Sequence, residues 1–226
     1  MDRYITIAID GPSGVGKTTI AAKVAKMLGI MHLDTGAMYR ALGLAAVREG
    51  LDPIQQTTAQ SILHDHKLQV RFIDNSQHTF LDEEDVTDLL RSEEISMAAS
   101  TISKHQLIRD YLTDIQRKLA EKNSFVLEGR DIGTVVLPSA TLKIFLTANS
   151  DARTDRRYSD LFKKGYTVTK EEVAADLARR DKQDSERAIA PLRQAEDAVL
   201  IDSSNYEVED TLEQVLKILR ERNLIS

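Results

Sequence analysis

The sequence has 226 residues, 42% of them hydrophobic and 29% charged, with a formal net charge of −6. It contains no cysteine, which excludes disulfides and thiolate metal sites, and the acidic balance argues against a general nucleic-acid binder, whose affinity rests on neutralising phosphates. No segment approaches the roughly 20 apolar residues of a membrane span, and no charged leader with an apolar stretch precedes the first strand-like run. A soluble cytoplasmic protein with no nucleic-acid or membrane partner is therefore expected.

Residues 4–9, YITIAI, are a short apolar run of the kind buried on both faces of a sheet. Residues 18–28 follow as a helix with Ile20, Ala21, Val24, Ala25 and Leu28 on one face, and Gly29 stands where a helix-ending glycine belongs. A second short strand at 30–33 ends at Asp34, and 36–49 reads as a helix stopped by Gly50.

The pattern changes between 66 and 90. Leu68, Val70 and Phe72 alternate with polar residues, Asp74-Asn75-Ser76 marks a turn, and a second extended run passes through Phe80 and Leu81. This predicts a small antiparallel insertion between helical segments. Residues 94–122 are helical, with a break before Gln106 and with Ile108, Leu112, Ile115 and Leu119 on one stripe. Further buried strands are predicted at 125–127, 142–146 and 199–201. The helical segments between the last two are rich in arginine, and Thr169 with Glu172 makes a capping box for the second of them. Val208, Leu212, Val215, Leu216 and Leu219 give an amphipathic closing helix.

Strands alternating with helices predict an α/β fold, a five-stranded parallel sheet covered by helices. The long excursion from 35 to about 105 is an insertion at the carboxyl edge of that sheet, where open α/β folds bind ligands.

GPSGVGKT, residues 11–18, fits G-x-x-x-x-G-K-[ST] between a predicted strand and a predicted helix. Glycines let successive backbone N–H groups turn inward around a phosphate, and the helix N-terminus adds partial positive charge. Gly11, Pro12, Ser13, Gly14, Val15, Gly16, Lys17, Thr18 and Thr19 are thus candidate nucleoside-triphosphate-binding residues. Lys17 would reach the β and γ phosphates, and the Thr18 hydroxyl would ligate Mg²⁺.

Four further stretches surround this loop in the predicted topology. LDTGAMYR puts Asp34 and Thr35 at the end of the second strand with Arg40 in the helix beyond, and EGRDIGTVV puts Glu128, Arg130 and Asp131 at the end of the third. RTDRRYSDLFKKG carries Arg153, Arg156 and Arg157, and RRDKQDSERAIAPL carries Arg180, Asp184 and Arg187. Taken alone, helical arginines usually form a solvated face, and Arg180 with Asp184 has the spacing of an i, i+4 ion pair. Asp34 or Glu128 could orient metal-bound water, although turn residues also end strands. Together, arginines at strand ends around one phosphate loop suit phosphoryl transfer, which needs positive groups on donor, transferred and acceptor phosphates. The five histidines (His32, His64, His66, His78, His105) show no metal-ligand spacing.

In this order and at these separations, GPSGVGKT, LDTGAMYR, EGRDIGT and RRDKQDSERAIAPL resemble the bacterial cytidylate kinases, from about residue 4 to the last helix. The resemblance implies transfer of the γ-phosphoryl of ATP to CMP or dCMP, with Mg²⁺ as cofactor. It implies a nucleoside-monophosphate-kinase fold, with a core at 1–34 and 106–226, a monophosphate-binding domain at 35–105 and a lid at about 153–166. Carried over by position, Arg40 and Arg130 hold the acceptor phosphate, and Thr35, Ser100, Arg109 and Asp131 lie near the cytosine. Arg180, Asp184 and Arg187 lie at the ribose, and Arg156 and Arg157 close over the phosphates in transfer. Lys17, Arg130, Arg156 and Arg157 are the catalytic candidates. Ser203 to Asn205 fall where related kinases hold adenine. Thr35 stands where serine is common and Glu128 where aspartate is common. From the residues alone, an adenylate or uridylate kinase on the same fold, or a non-catalytic nucleotide switch, stays open.

Overall fold

The computed structural model describes residues 4–225. In chain order it contains β1 (Thr6–Asp10), α1 (Lys17–Leu28), β2 (Met31–Asp34), α2 (Thr35–Arg48), α3 (Gln56–Asp65), β3 (Leu68–Ile73), β4 (Ser76–Leu81), β5 (Glu84–Asp85), a 3-10 turn (Thr87–Arg91), α4 (Glu93–Ile102) and α5 (Gln106–Ala120). There follow β6 (Phe125–Gly129), a π-helical turn (Ile132–Val136), β7 (Leu142–Thr147), α6 (Ser150–Lys163), α7 (Lys170–Glu186), β8 (Val199–Asp202) and α8 (Val208–Glu221). One sheet has the strand order β2-β6-β1-β7-β8, and β3-β4-β5 form a second. The five-stranded sheet and the β3–β4 hairpin are those that the sequence predicts; β5 adds a third strand to the small sheet that the sequence does not assign. No described helix is long and apolar enough to cross a membrane.

The chain divides into two compact units, one comprising Met31–Ser124 and the other Ile5–Ile30 with the chain from Phe125 onward. In the second of these, β1 pairs in parallel with β6 and β7, and β7 with β8. Ile7, Ala8 and Ile9 are wholly buried, as the unbroken apolar run requires of a central parallel strand. Ile20 and Val24 of α1 and Val215, Leu216 and Leu219 of α8 share one core with Ile144 and Leu146 of β7. Gly29, at φ 64°, ends α1 with its N–H on the Ala25 and Lys26 carbonyls. Thr169 caps α7 through the expected box with Glu172. The basic segment at 153–166 lies mostly on α6, whose Leu161 is buried with Val173 and Leu177 of α7.

In the other unit, α2 buries Met38, Ala41, Leu42, Ala45 and Ala46. Gly43 lets α2 lie against α4, since a Cβ there would sit 2.8 Å from the Ala99 backbone nitrogen. The β3–β4 hairpin closes through Asp74 and Asn75 with φ of 51° and 61°. Two left-handed residues between Ile73 and Ser76, which face one another in register, match the twist of antiparallel strands. The sequence assigns no element to α3. It is polar at most positions and buries only Thr58, Ala59 and Ile62, too few to show a periodic stripe.

Candidate active site

The phosphate loop joins β1 to α1 as its motif requires. Gly11 cannot be replaced without moving backbone, because a Cβ there would lie 2.0 Å from the Leu146 carbonyl oxygen on β7. Gly16, at φ 90°, is the N-cap of α1 and supplies no capping side chain, so the first amides of the helix stay available for an anion.

Lys17 is buried, and its Nζ donates to the Pro12 carbonyl oxygen at 2.7 Å. Desolvation, helped by the nearby Arg130 charge, pushes its ammonium down to about 7 against the pull of Glu128, Asp184 and Asp10. An ammonium buried with no carboxylate bonded to it among the described residues is poised to gain from a polyphosphate. Thr18 Oγ1 donates to Glu128 Oε2 at 3.0 Å, so a hydroxyl and a buried carboxylate present hard oxygen donors side by side, a set suited to Mg²⁺.

Ser13 is gripped on three sides. Its Oγ accepts from Arg130 Nη2 at 2.7 Å, its carbonyl oxygen from Arg153 Nη1 at 3.2 Å, and its N–H donates to Asp181 Oδ1 at 3.4 Å. Arg153 and Asp181 are themselves ion-paired. Arg130 also donates from Nε to Asp184 Oδ2 at 2.7 Å. Arg187 Nη2 reaches Asp131 Oδ1 at 3.2 Å, and both side chains are buried. Arg130, Asp131, Asp184 and Arg187 are therefore brought together, with the first of them on the phosphate loop.

One expected pairing is wrong. Asp184 does not pair with Arg180: Arg180 Nε lies 2.8 Å from Asp176 Oδ2, one turn earlier in α7, and Asp184 is taken by Arg130. Helical spacing allows either neighbour, and the arginine arriving from the loop after β6 decides which. Arg156 turns to the loop after β8, donating to Ser203 Oγ at 3.0 Å and to the Ser203 and Tyr206 carbonyls. Arg157, half-buried on α6, makes no hydrogen bond or ion pair with the described residues.

In the other unit, Asp34 caps α2 by accepting from the Ala37 N–H at 3.1 Å and also accepts from Arg40 Nη2 at 2.6 Å. Burial alone would raise its carboxyl, but the Arg40 guanidinium and the Ala37 amide outweigh it and hold the group below the usual carboxylate range. Arg40 Nε is buried with no acceptor among the described residues, a donor left for a ligand. Thr35 is buried at the start of α2, and Ser100 is half-buried on α4. Arg109 on α5 is buried, donates to the Ser103 carbonyl oxygen at 3.3 Å and lies 5.7 Å from the centre of the Tyr39 ring.

The family model for cytidylate kinase matches residues 7–221. The chain belongs to the cytidylate kinase family. A cytidylate kinase of Caldicellulosiruptor bescii is 45% identical over 216 residues, 96% of each chain. One of Thermosipho melanesiensis is 46% identical, covering 96% of this chain and 97% of the relative, and one of Geobacillus kaustophilus is 42% identical over 98% and 99%. Among solved structures, an uncharacterized protein from Eubacterium ventriosum, 16% identical, superposes with a TM-score of 0.54 over 96% of this chain and 98% of that one, a likeness of fold alone. As expected of kinases, ATP is the phosphoryl donor.

Two groups at this site escape the sequence reading. Asp10 is buried at the end of β1 and accepts from the Ile132 and Gly133 amides at 2.8 and 2.7 Å. Asp181 touches the phosphate loop from α7. An aspartate before a glycine reads as a turn residue, and one among helical charges reads as a surface residue. Only the RRD run that places Asp181 beside Arg180 hints at more.

Proposed function

We infer that this member of the cytidylate kinase family transfers the γ-phosphoryl group of ATP to CMP and dCMP, giving CDP or dCDP and ADP. The observation that carries the reading is the bond from Arg130 to Ser13 at 2.7 Å: an arginine of the acceptor constellation rests on the loop that holds the donor phosphates. An oxygen of the acceptor phosphate attacks the γ-phosphorus, a new P–O bond forms, and the bond to the ADP oxygen breaks. The attacking oxygen is already ionised near neutral pH, so the site needs no general base. Its work is positioning and charge neutralisation, with Lys17 on the donor phosphates and Arg130, Arg156 and Arg157 on the group in transfer.

The acceptor nucleotide is assigned to Thr35, Arg40, Ser100 and Arg109 and to Arg130, Asp131, Arg180, Asp184 and Arg187. In functional terms, 35–105 is the monophosphate-binding domain, 1–34 with 106–226 the core, and about 153–166 the lid. Mg²⁺ belongs with Thr18 and Glu128 rather than Asp34, whose carboxylate is engaged by the α2 amide and Arg40. No group of three or more His, Cys, Asp or Glu side chains among the described residues is arranged to hold an ion alone, so phosphate and water oxygens complete its shell. When bound, the ion neutralises charge on the phosphates. The enzyme is assigned to the cytoplasm as a monomer without nucleic-acid or membrane partners.

ATP labelled at the γ position tests the reaction. Label should pass into CDP when CMP is added. Label released only as inorganic phosphate, whether or not CMP is present, would make the protein a nucleoside triphosphatase or switch instead.

A further inference from the structure

Asp10 is the last residue of β1, is 4% exposed, and stands immediately before Gly11 of the phosphate loop. Its backbone is in register with Gly129, the last residue of β6. Its carboxylate reaches past that point, taking the Ile132 N–H on Oδ1 at 2.8 Å and the Gly133 N–H on Oδ2 at 2.7 Å. The only residues between these anchor points are Arg130 and Asp131.

The first amides of a helical turn lack intrahelical acceptors, and here one carboxylate satisfies two of them. The turn is closed from within by the Val135 N–H on the Asp131 carbonyl oxygen at 2.9 Å and the Leu137 N–H on that of Ile132 at 2.7 Å. Space around the anchor is tight: a Cβ on Gly133 would lie 3.3 Å from Asp10 Oδ2 and 3.1 Å from Lys143 Cδ. A buried carboxylate is an expensive way to fill a strand end, and desolvation pushes this one up to about 6. Packing alone would favour an apolar residue.

We propose that Asp10 is a positioning residue for the acceptor nucleotide: it brackets Arg130 and Asp131 from both sides and fixes them relative to the phosphate loop. The proposal rests on the assignment of Arg130 and Asp131 to the acceptor. With the bracket loosened, Arg130 keeps its partners Ser13 and Asp184 within reach but no longer holds one orientation. A misplacement of about 1 Å can cost on the order of 10²-fold in rate.

The test is Asp10→Asn, which keeps the size but can accept only one of the two amides while turning an NH₂ toward the other. KM and kcat/KM for CMP, the Kd for ATP, and amide exchange at Ile132 and Gly133 are measured beside the wild type and Arg130→Ala. KM for CMP should rise and kcat/KM for CMP should fall about 10- to 100-fold, ATP affinity should change little, and the two amides should exchange faster. An unchanged KM for CMP in Asp10→Asn, with a raised one in Arg130→Ala, would overturn the proposal and leave the acceptor assignment standing. An unchanged KM in Arg130→Ala would overturn the assignment and the proposal with it. Parallel loss of ATP and CMP binding would make Asp10 a core residue only. If Asp10→Asn does not fold, Asp10→Ser, which retains one acceptor without the charge, is read in the same way, and failure of both to fold also overturns the proposal.

Discussion

Replacing Lys17 by Met should make the free protein more stable and the enzyme far slower. The ammonium is pushed from 10.5 to about 7 by desolvation and by Arg130. At about 1.4 kcal/mol per tenfold change in ionisation, burial of this side chain costs the folded protein about 4 kcal/mol near neutral pH. Met fills the channel occupied by the stem and removes that cost. It also removes the bond to the Pro12 carbonyl oxygen, worth about 2 kcal/mol for a charged donor. The net is a stabilisation of about 2 kcal/mol, or about 4–8 °C in melting temperature for a chain of this size. The gain should be larger at about pH 6 than at about pH 9, because a lysine whose folded pKa lies below its unfolded value costs most where both states are charged and nothing once both are neutral. Turnover with ATP and CMP should fall by roughly 10²–10³, the usual loss for one preorganised electrostatic contact. Thermal melts across pH and steady-state rates on the same preparation check both halves. A variant that melts lower than wild type, or turns over at a near-normal rate, would refute the reasoning.

Asp184→Ala should raise the KM for CMP and leave the Kd for ATP nearly unchanged, because it frees Arg130 Nε while Lys17 and the loop amides stay in place; equal losses for both nucleotides would move Asp184 to the donor side or to folding. Arg157→Ala should lower kcat much more than it weakens ATP binding, since its guanidinium makes no hydrogen bond or ion pair with the described residues and would find a partner in the closed complex. Correspondingly, amides at about 153–166 should become better protected only when ATP and CMP sites are filled together; equal protection with and without nucleotides would mean a fixed helix pair. His66 bridges Glu49 at 2.6 Å and Asp82 at 2.8 Å; burial opposes its protonation, but bonds to Asp82 and Glu49 prevail and hold it above 6.5. The wild type should therefore melt higher than His66→Gln below about pH 6.5, with the difference fading as pH rises through the raised pKa, and a difference independent of pH would refute the ion-pair account.

How far the sequence reaches depends on whether an interaction is local. The strand at 4–9 is legible because burial on both faces leaves an unbroken apolar run, and the hairpin because Asp74 and Asn75 tolerate the left-handed backbone that a two-residue turn demands. The phosphate loop is legible for the same reason, as its glycines record where backbone must approach backbone or anion. α3 is hidden because one turn of weak burial leaves no periodic trace. The Arg180–Asp184 spacing misleads because two carboxylates lie within reach of Arg180, and Arg130, 54 residues from Asp184, claims one of them. Asp10 is invisible for a related reason: its two partners are backbone amides more than a hundred residues away, and no side-chain pattern encodes them.

The central claim is that the site takes a cytidine monophosphate as phosphoryl acceptor. Initial rates with Mg²⁺–ATP and CMP, dCMP, UMP or AMP, measured side by side at equal concentration, test it most directly. CMP and dCMP should be phosphorylated well and AMP hardly at all; strong turnover of AMP with none of CMP would contradict the account.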